Sequence, residues 1–245
     1  MNFKKTTILL FAQLIMSVSA YANQACTEND QLKAEYNISV EQKGRTSTST
    51  PLILWRDKEV VAHQYPSTKI TEMWQNINHK LIKPIRYFND YHRAIEYQPG
   101  EVVHGKKETD WSYRFQLVST SMLSKMTETK RQGAGCDERV FLTYKTDKSE
   151  LSIVWIPQMK LVESFRLDNP SRKEHWQLTN LDTKTAKVDE YFKKLYAYKG
   201  TDYADIGDDH TDPFLTKMVT LGFVESGASG FYNDKGEALE GHHHH

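Results

Sequence analysis

Between Val140 and Leu178 apolar and polar residues alternate through four successive segments, and no other feature restricts the fold as much. Val140, Leu142 and Tyr144 form the first series; Leu151, Ile153 and Trp155 the second. Met159, Leu161, Phe165 and Leu167 form the third, interrupted by Glu163, and Trp176 and Leu178 the fourth. Each series has the period of two that sends successive side chains to opposite faces of a strand. Turn signals separate them: Thr146-Asp147-Lys148-Ser149, then Pro157, then Asn169-Pro170-Ser171. Strands joined by connections this short pair antiparallel, as a meander. One face of that meander is apolar and has to be covered by other elements.

The rest of the chain supplies more strands and the cover. Ala34, Tyr36, Ile38 and Val40 alternate, and Leu52–Trp55 and Val60–His63 flank Arg56-Asp57-Lys58-Glu59 as a hairpin would. Ile70, Met73, Trp74 and Ile77 fall at helical spacing, which predicts a helix that Pro84 stops. Ile85 to Tyr97 alternates imperfectly and ends at the turn Pro99-Gly100. A second helix is predicted from an Asp110 cap, with the stripe Trp111, Phe115, Val118 and Met122. A third carries Val188, Tyr191, Phe192 and Leu195, capped by Thr183 or Thr185 and ended by Gly200. The last starts at Asp212-Pro213, turns Phe214, Leu215 and Met218 inward, and closes at Gly222. The expected architecture is α+β: one domain over residues 23–224, with a curved antiparallel meander and helices packed on one face. Residues 225–245 read as a flexible tail. In element order this resembles the periplasmic lipoprotein carriers of the half-barrel type. A curved sheet closed over by helices makes a natural apolar cavity.

Met1–Ala22 has the form of an export leader. Lys4 and Lys5 precede an apolar stretch, Ile8 to Met16, broken only by Gln13, and Ala20-Tyr21-Ala22 offers small residues on either side of a cleavage point. That stretch is too short to span a bilayer, and no later apolar run is long enough, so no stable membrane insertion is expected after cleavage. The expected location is the periplasm or the exterior. There an isolated cysteine pair, Cys26 and Cys136, is expected to be bridged. The loop so closed is worth about 4–5 kcal/mol in the chain-entropy account. Two other fates are weaker. Cys26 lacks the approach sequence of a lipidated cysteine, and Cys136 in Gly133-Ala134-Gly135-Cys136 could be an accessible thiol. The chain has 32 basic and 32 acidic residues, and losing Lys4 and Lys5 with the leader leaves a slight acidic excess. With no basic stretch, nothing in its charge favours nucleic acid.

Three groups of residues could carry function. Trp55, Trp74, Trp111, Trp155 and Trp176 are candidates to line a pocket for an apolar ligand, against the commoner fate of filling the core. Asp205, Asp208, Asp209 and His210, within a run that also holds Asp202 and Asp212, could ligate a divalent metal. Their spacing is not that of an EF-hand, and acids before a helix also complement its dipole. His242, His243, His244 and His245 would bind zinc, copper or nickel if native, and are otherwise a purification tag. His63, His79, His92 and His104 are scattered, and Glu101 with His104 has no second copy to complete a di-metal motif. His63 and His175 fall in strands, where a local hydrogen-bond partner is the expected role. For catalysis, Gly227-Ala228-Ser229-Gly230 is not a nucleophile elbow, and no H-E-x-x-H, C-x-x-C or phosphate-cradling glycine loop occurs. The leading reading is therefore an exported, non-enzymatic binding or carrier protein for an apolar ligand or a protein partner. The alternatives are a periplasmic metal-binding protein using residues 202–212 and the tail, and a hydrolase of unknown type.

Overall fold

A computed structural model describes residues 30–44, 46–103, 106–205 and 211–220. The leader, Cys26, His104, Asp208, Asp209, His210, Gly222 and the histidine tail lie outside the described residues.

The chain opens with six strands: β1 (Gln31–Gln42), β2 (Thr48–Asp57), β3 (Val60–Tyr65), β4 (Ile70–Ile77), β5 (Leu81–Phe88) and β6 (Arg93–Glu96). A small hairpin, β7 (Val102–Val103) and β8 (Lys106–Lys107), leads to two short helices, α1 (Trp111–Gln116) and α2 (Thr120–Lys125). Five strands follow: β9 (Thr127–Gln132), β10 (Arg139–Lys145), β11 (Glu150–Ile156), β12 (Leu161–Asp168) and β13 (Arg172–Asp182). Then come α3 (Thr185–Tyr196), β14 (Lys199–Asp202) and α4 (Pro213–Thr220).

Twelve strands make one sheet in the order β14-β6-β5-β4-β3-β2-β1-β13-β12-β11-β10-β9. The expected meander is β10 to β13, and the hairpin over 52–63 is β2 and β3. β1 runs between β2 and β13 and joins two antiparallel meanders into one surface; among the described residues only β14 pairs parallel, with β6. One face bends back on itself. From β1, Tyr36 donates its hydroxyl hydrogen to the Val162 carbonyl (2.7 Å). From β2, the Arg56 guanidinium donates to the carbonyls of Met159 (2.6 Å) and Lys160 (3.1 Å) at the β11–β12 connection. Leu32, Ala34, Leu54, Val61, Ile153 and Trp176 therefore share one core cluster on that concave face.

The helices cover both faces, where one was expected. α1 and α2 add Tyr113, Leu117, Val118 and Met122 to the concave cluster. At the sheet's end α4 sets Phe214 and Leu215 against Phe88, Ile95 and Tyr97. α3 lies on the opposite, convex face, with Val188, Phe192 and Leu195 against Ala62, Met73 and Ile85. A wide strand surface with apolar residues on both sides needs a cover on both.

That two-sided burial also corrects the helix expected over 70–77, which is strand β4. Flanked by β3 and β5, it sends Trp74 to the concave face and Met73 to the convex one. Apolar residues on both faces erase the period of two and imitate the spacing of a helix. Pro84 stops no helix; it sits inside β5 opposite Trp74. Its carbonyl accepts from the Tyr97 amide (3.2 Å), so its missing N–H faces the same side, where β6 has already ended at Glu96. The helix expected from Asp110 is two helices. Asp110 does cap, accepting from the Tyr113 amide (3.1 Å). Leu117 then turns left-handed (φ 68°), which ends α1, and Ser119 caps α2 through the Met122 amide (2.9 Å). α3 forms as read, but neither threonine caps it; Lys184 holds that position, and the helix ends at Ala197, leaving Gly200 in β14. At α4, Asp212 accepts from the amides of Phe214 (2.9 Å) and Leu215 (3.4 Å) as a cap should.

Candidate functional site

The five tryptophans do not converge. Trp55 lies on the convex face, stacked on Tyr191 of α3 with ring centroids 3.9 Å apart, and its indole N–H donates to Gln64 (3.0 Å). Trp176 and Phe165 stack inside the concave core (4.4 Å), with the Trp176 N–H on Glu174 (2.6 Å). Trp111 and Trp155 pack partly buried at the margin of that core. Trp74 lines a cleft.

The cleft lies on the concave face between β4–β5 and the chain that carries Glu108 and Arg114, at the edge of the α1–α2 cover. Its volume is about 90 Å³. Trp74, Pro84 and Tyr97 give it apolar surface, and two ion pairs give it polar walls. The first pair is set by strand register: Glu72 and Arg86 are directly opposite on β4 and β5 and meet at 2.6 Å. The second is bidentate, with Arg114 giving Nε (2.9 Å) and Nη2 to the two oxygens of Glu108. The Arg114 guanidinium also lies 4.2 Å above the Trp74 ring. Burial works against the charge of both arginines. The carboxylates beside them more than offset it, Glu108 for Arg114 and Glu72 for Arg86, and both pKa values rise above the ordinary guanidinium range.

Behind this wall His63 is fully buried, its Nε2 2.8 Å from the Arg114 carbonyl and its ring edge-on to Trp74. Burial, with the Arg114 charge nearby, pushes its pKa down to about 3, so the ring is neutral. Tyr97 is 2% exposed, and its hydroxyl meets no hydrogen-bond partner among the described residues. Burial raises its pKa, so the phenol keeps its proton. Two residues that line the cleft, Tyr97 and Arg114, thus carry hydrogen-bond donors within a set of charges that cancel.

A larger open trough, about 460 Å³, runs over the tips of the β10–β11 and β12–β13 hairpins. It is lined by exposed turn residues; Lys145 and Lys173 pair there with Glu150 (2.9 Å) and Asp168 (3.7 Å). The other predicted ligands are not brought together. Asp205 is exposed in a one-turn 3-10 helix, Tyr203–Asp205, and among the described residues no three His, Cys, Asp or Glu side chains cluster as metal ligands. Cys136 lies in the turn Gly135–Asp137 before β10, and no cysteine is free among the described residues. Among those residues no helix is long and apolar enough to cross a membrane.

None of Glu72, Arg86, Tyr97, Glu108 and Arg114 stands out in the sequence as a site residue. Glu72 carried a usable signal: once 70–77 is strand, its side chain falls on the face of Trp74, where a carboxylate needs a partner.

No family model matches the sequence, and no curated protein matches it. Several solved structures are similar in part. MucB of Pseudomonas aeruginosa, solved in complex with MucA, aligns over 65% of this chain and 54% of its own at 10% identity and a TM-score of 0.31. PNGF-II aligns over 82% of this chain and 36% of its own at 8% identity and 0.40. A putative outer membrane lipoprotein-sorting protein domain from Vibrio parahaemolyticus aligns over 68% of this chain and 92% of its own at 8% identity and 0.31. The chain thus spans about half the length of MucB and about a third of PNGF-II. Likenesses at this level carry no functional weight.

Proposed function

We propose that the chain is an exported, non-enzymatic binding or carrier protein that holds an apolar ligand against the concave face of its sheet, beneath the α1–α2 segment. The observation that carries the reading is the nature of that cover. The largest apolar surface in the fold is closed by two helices of six residues each, broken apart at Leu117. Helices this short have no stability of their own in water. They stay down because Leu117, Val118 and Met122 fill the concave core themselves. A ligand with equivalent apolar surface competes for that place, and the cleft at the cover's edge is where it would enter. The leader Met1–Ala22 supports export, and a Cys26–Cys136 bridge would tie the mature N-terminus to the turn before β10.

The reading is tested with an environment-sensitive apolar dye, N-phenylnaphthylamine. Saturable fluorescence enhancement that a long-chain lipid displaces is expected. Mass spectrometry of organic extracts from protein purified from its own host should show a co-purified apolar molecule. A clean extract together with no saturable dye binding would overturn the proposal. On the same sample the intact mass under non-reducing conditions should begin at Asn23 and lack two hydrogens relative to the dithiol.

A further inference from the structure

We infer that the cleft beside the cover is a subsite for the carbonyl head of an acyl ester or amide; this rests on the proposal that the concave face takes an apolar chain. Three observations lead there.

The first is Tyr97. It is 2% exposed and packed against Tyr203 at 4.7 Å, and although the residue lines the cleft, its buried hydroxyl has no hydrogen-bond partner among the described residues. A buried hydroxyl without a partner loses its hydration and gains nothing in exchange. An acceptor delivered by a ligand would restore the bond. The second is Arg114. It commits Nε and Nη2 to Glu108 and leaves Nη1 uncommitted among the described residues. Both open positions can donate, and the guanidinium can do nothing else, so a ligand oxygen that accepts satisfies both.

The third is charge and size. Glu72 and Arg86 cancel, as do Glu108 and Arg114, which leaves no net positive charge to pay the desolvation of a carboxylate or phosphate. The two glutamates would also repel an anion. A neutral carbonyl avoids that penalty and accepts from a phenol and a guanidinium together. About 90 Å³ holds a small polar group and is well below the size of a site that encloses a whole small molecule. The rest of the ligand must lie elsewhere, and Trp74, which borders the cleft and belongs to the concave core, leads toward the cover.

The experiment compares methyl laurate, laurate and dodecane as competitors of N-phenylnaphthylamine, on wild type and Tyr97→Phe. Wild type is expected to bind the ester about 10-fold more tightly than the alkane, the worth of two modest net hydrogen bonds. Laurate should gain no comparable advantage above its own pKa. Tyr97→Phe should cut the ester's advantage about threefold, since Arg114 Nη1 still donates, and leave the alkane unchanged, with a urea midpoint no lower than wild type because the lost hydroxyl makes no bond. Equal ester and alkane affinity in wild type, an ester preference undiminished by Tyr97→Phe, a tighter fit for laurate, or a destabilised variant would each overturn the subsite while leaving the carrier reading in place. Binding of none of the three would overturn the carrier reading and the subsite with it.

Discussion

The two faces of the sheet are closed by opposite means. On the convex face one helix of twelve residues, α3, lays a continuous stripe over β2 to β6. Beneath it the packing is aromatic and aliphatic: Trp55 on Tyr191, Phe192 and Leu195 against Met73 and Tyr87. On the concave face the cover is two six-residue helices, and polar groups are buried with them. His63 meets the α1 carbonyl of Arg114, and the Arg56 guanidinium sits 4.5 Å from the Phe115 ring. A long amphipathic helix supplies its own seam. A broken one is held by caps and specific contacts, each of which can be released locally. The contrast is sharpest at Phe192, so the largest effect is expected there. Phe192→Ala should cost about 3–5 kcal/mol, the usual loss for a buried phenylalanine, read from urea unfolding. A loss under about 2 kcal/mol would mean that α3 rests lightly on the sheet and that the two covers are alike.

The concave side should respond next at its charges. Glu108→Gln leaves Arg114 buried without its carboxylate. Breaking a fully buried pair costs about 3–5 kcal/mol. Glu108 keeps a quarter of its side chain in solvent, so about 2–3 kcal/mol is expected. An unchanged midpoint would show that water replaces the carboxylate and that the cleft is wetter than its walls imply.

Acid should also act on the concave face. His63 has a folded pKa near 3 against an ordinary 6.5. The unfolded chain therefore binds a proton that the folded one refuses. The stability tied to the neutral ring is complete above pH 6.5 and is lost as pH falls toward 3. Between pH 7 and pH 5, before most carboxylates titrate, the loss should be about 2 kcal/mol. His63→Gln should flatten that slope in paired urea titrations. A variant as acid-sensitive as wild type would place the proton-linked group elsewhere.

The convex cover and the second meander are legible in the sequence, and the concave site is not. β10 to β13 pair each strand with its chain neighbour, and one face is largely polar, so alternation survives into the sequence. α3 is a single amphipathic stripe, which is equally local information. β4 defeats the same reading because it is buried on both faces, so Met73 and Trp74, adjacent in sequence, are both apolar. The break at Leu117 leaves no mark, since a leucine in a left-handed turn is chosen by the surrounding packing and not by propensity. Without β4 as a strand, Glu72 cannot be set opposite Arg86, and the cleft is invisible. Tyr97 belongs to the site only because β6 ends beside Pro84. The tryptophans misled for a related reason: residue type reports burial, while the face each one occupies depends on register that composition does not carry.

The smallest expected effect bears most directly on whether the concave cover opens by itself. Ser119 is buried, and its hydroxyl oxygen accepts from the Met122 amide at 2.9 Å, capping α2 beside the Ser112 hydroxyl, which accepts from the Thr120 amide (2.9 Å). Ser119→Ala should cost about 1 kcal/mol, as helix caps commonly do. The size of that loss says little, because many surface changes cost as much. Its distribution is informative. If α1 and α2 lift away as a unit while the sheet stays folded, the cost falls on that local opening alone. Amide exchange over Met122 to Met126 then speeds about fivefold, while the amides of α3 and β1 exchange as in wild type. If the cover opens only with the whole molecule, the protected amides on both faces speed up together by the same factor. That second pattern would remove the difference between the faces and, with it, the route by which a ligand could reach the concave core.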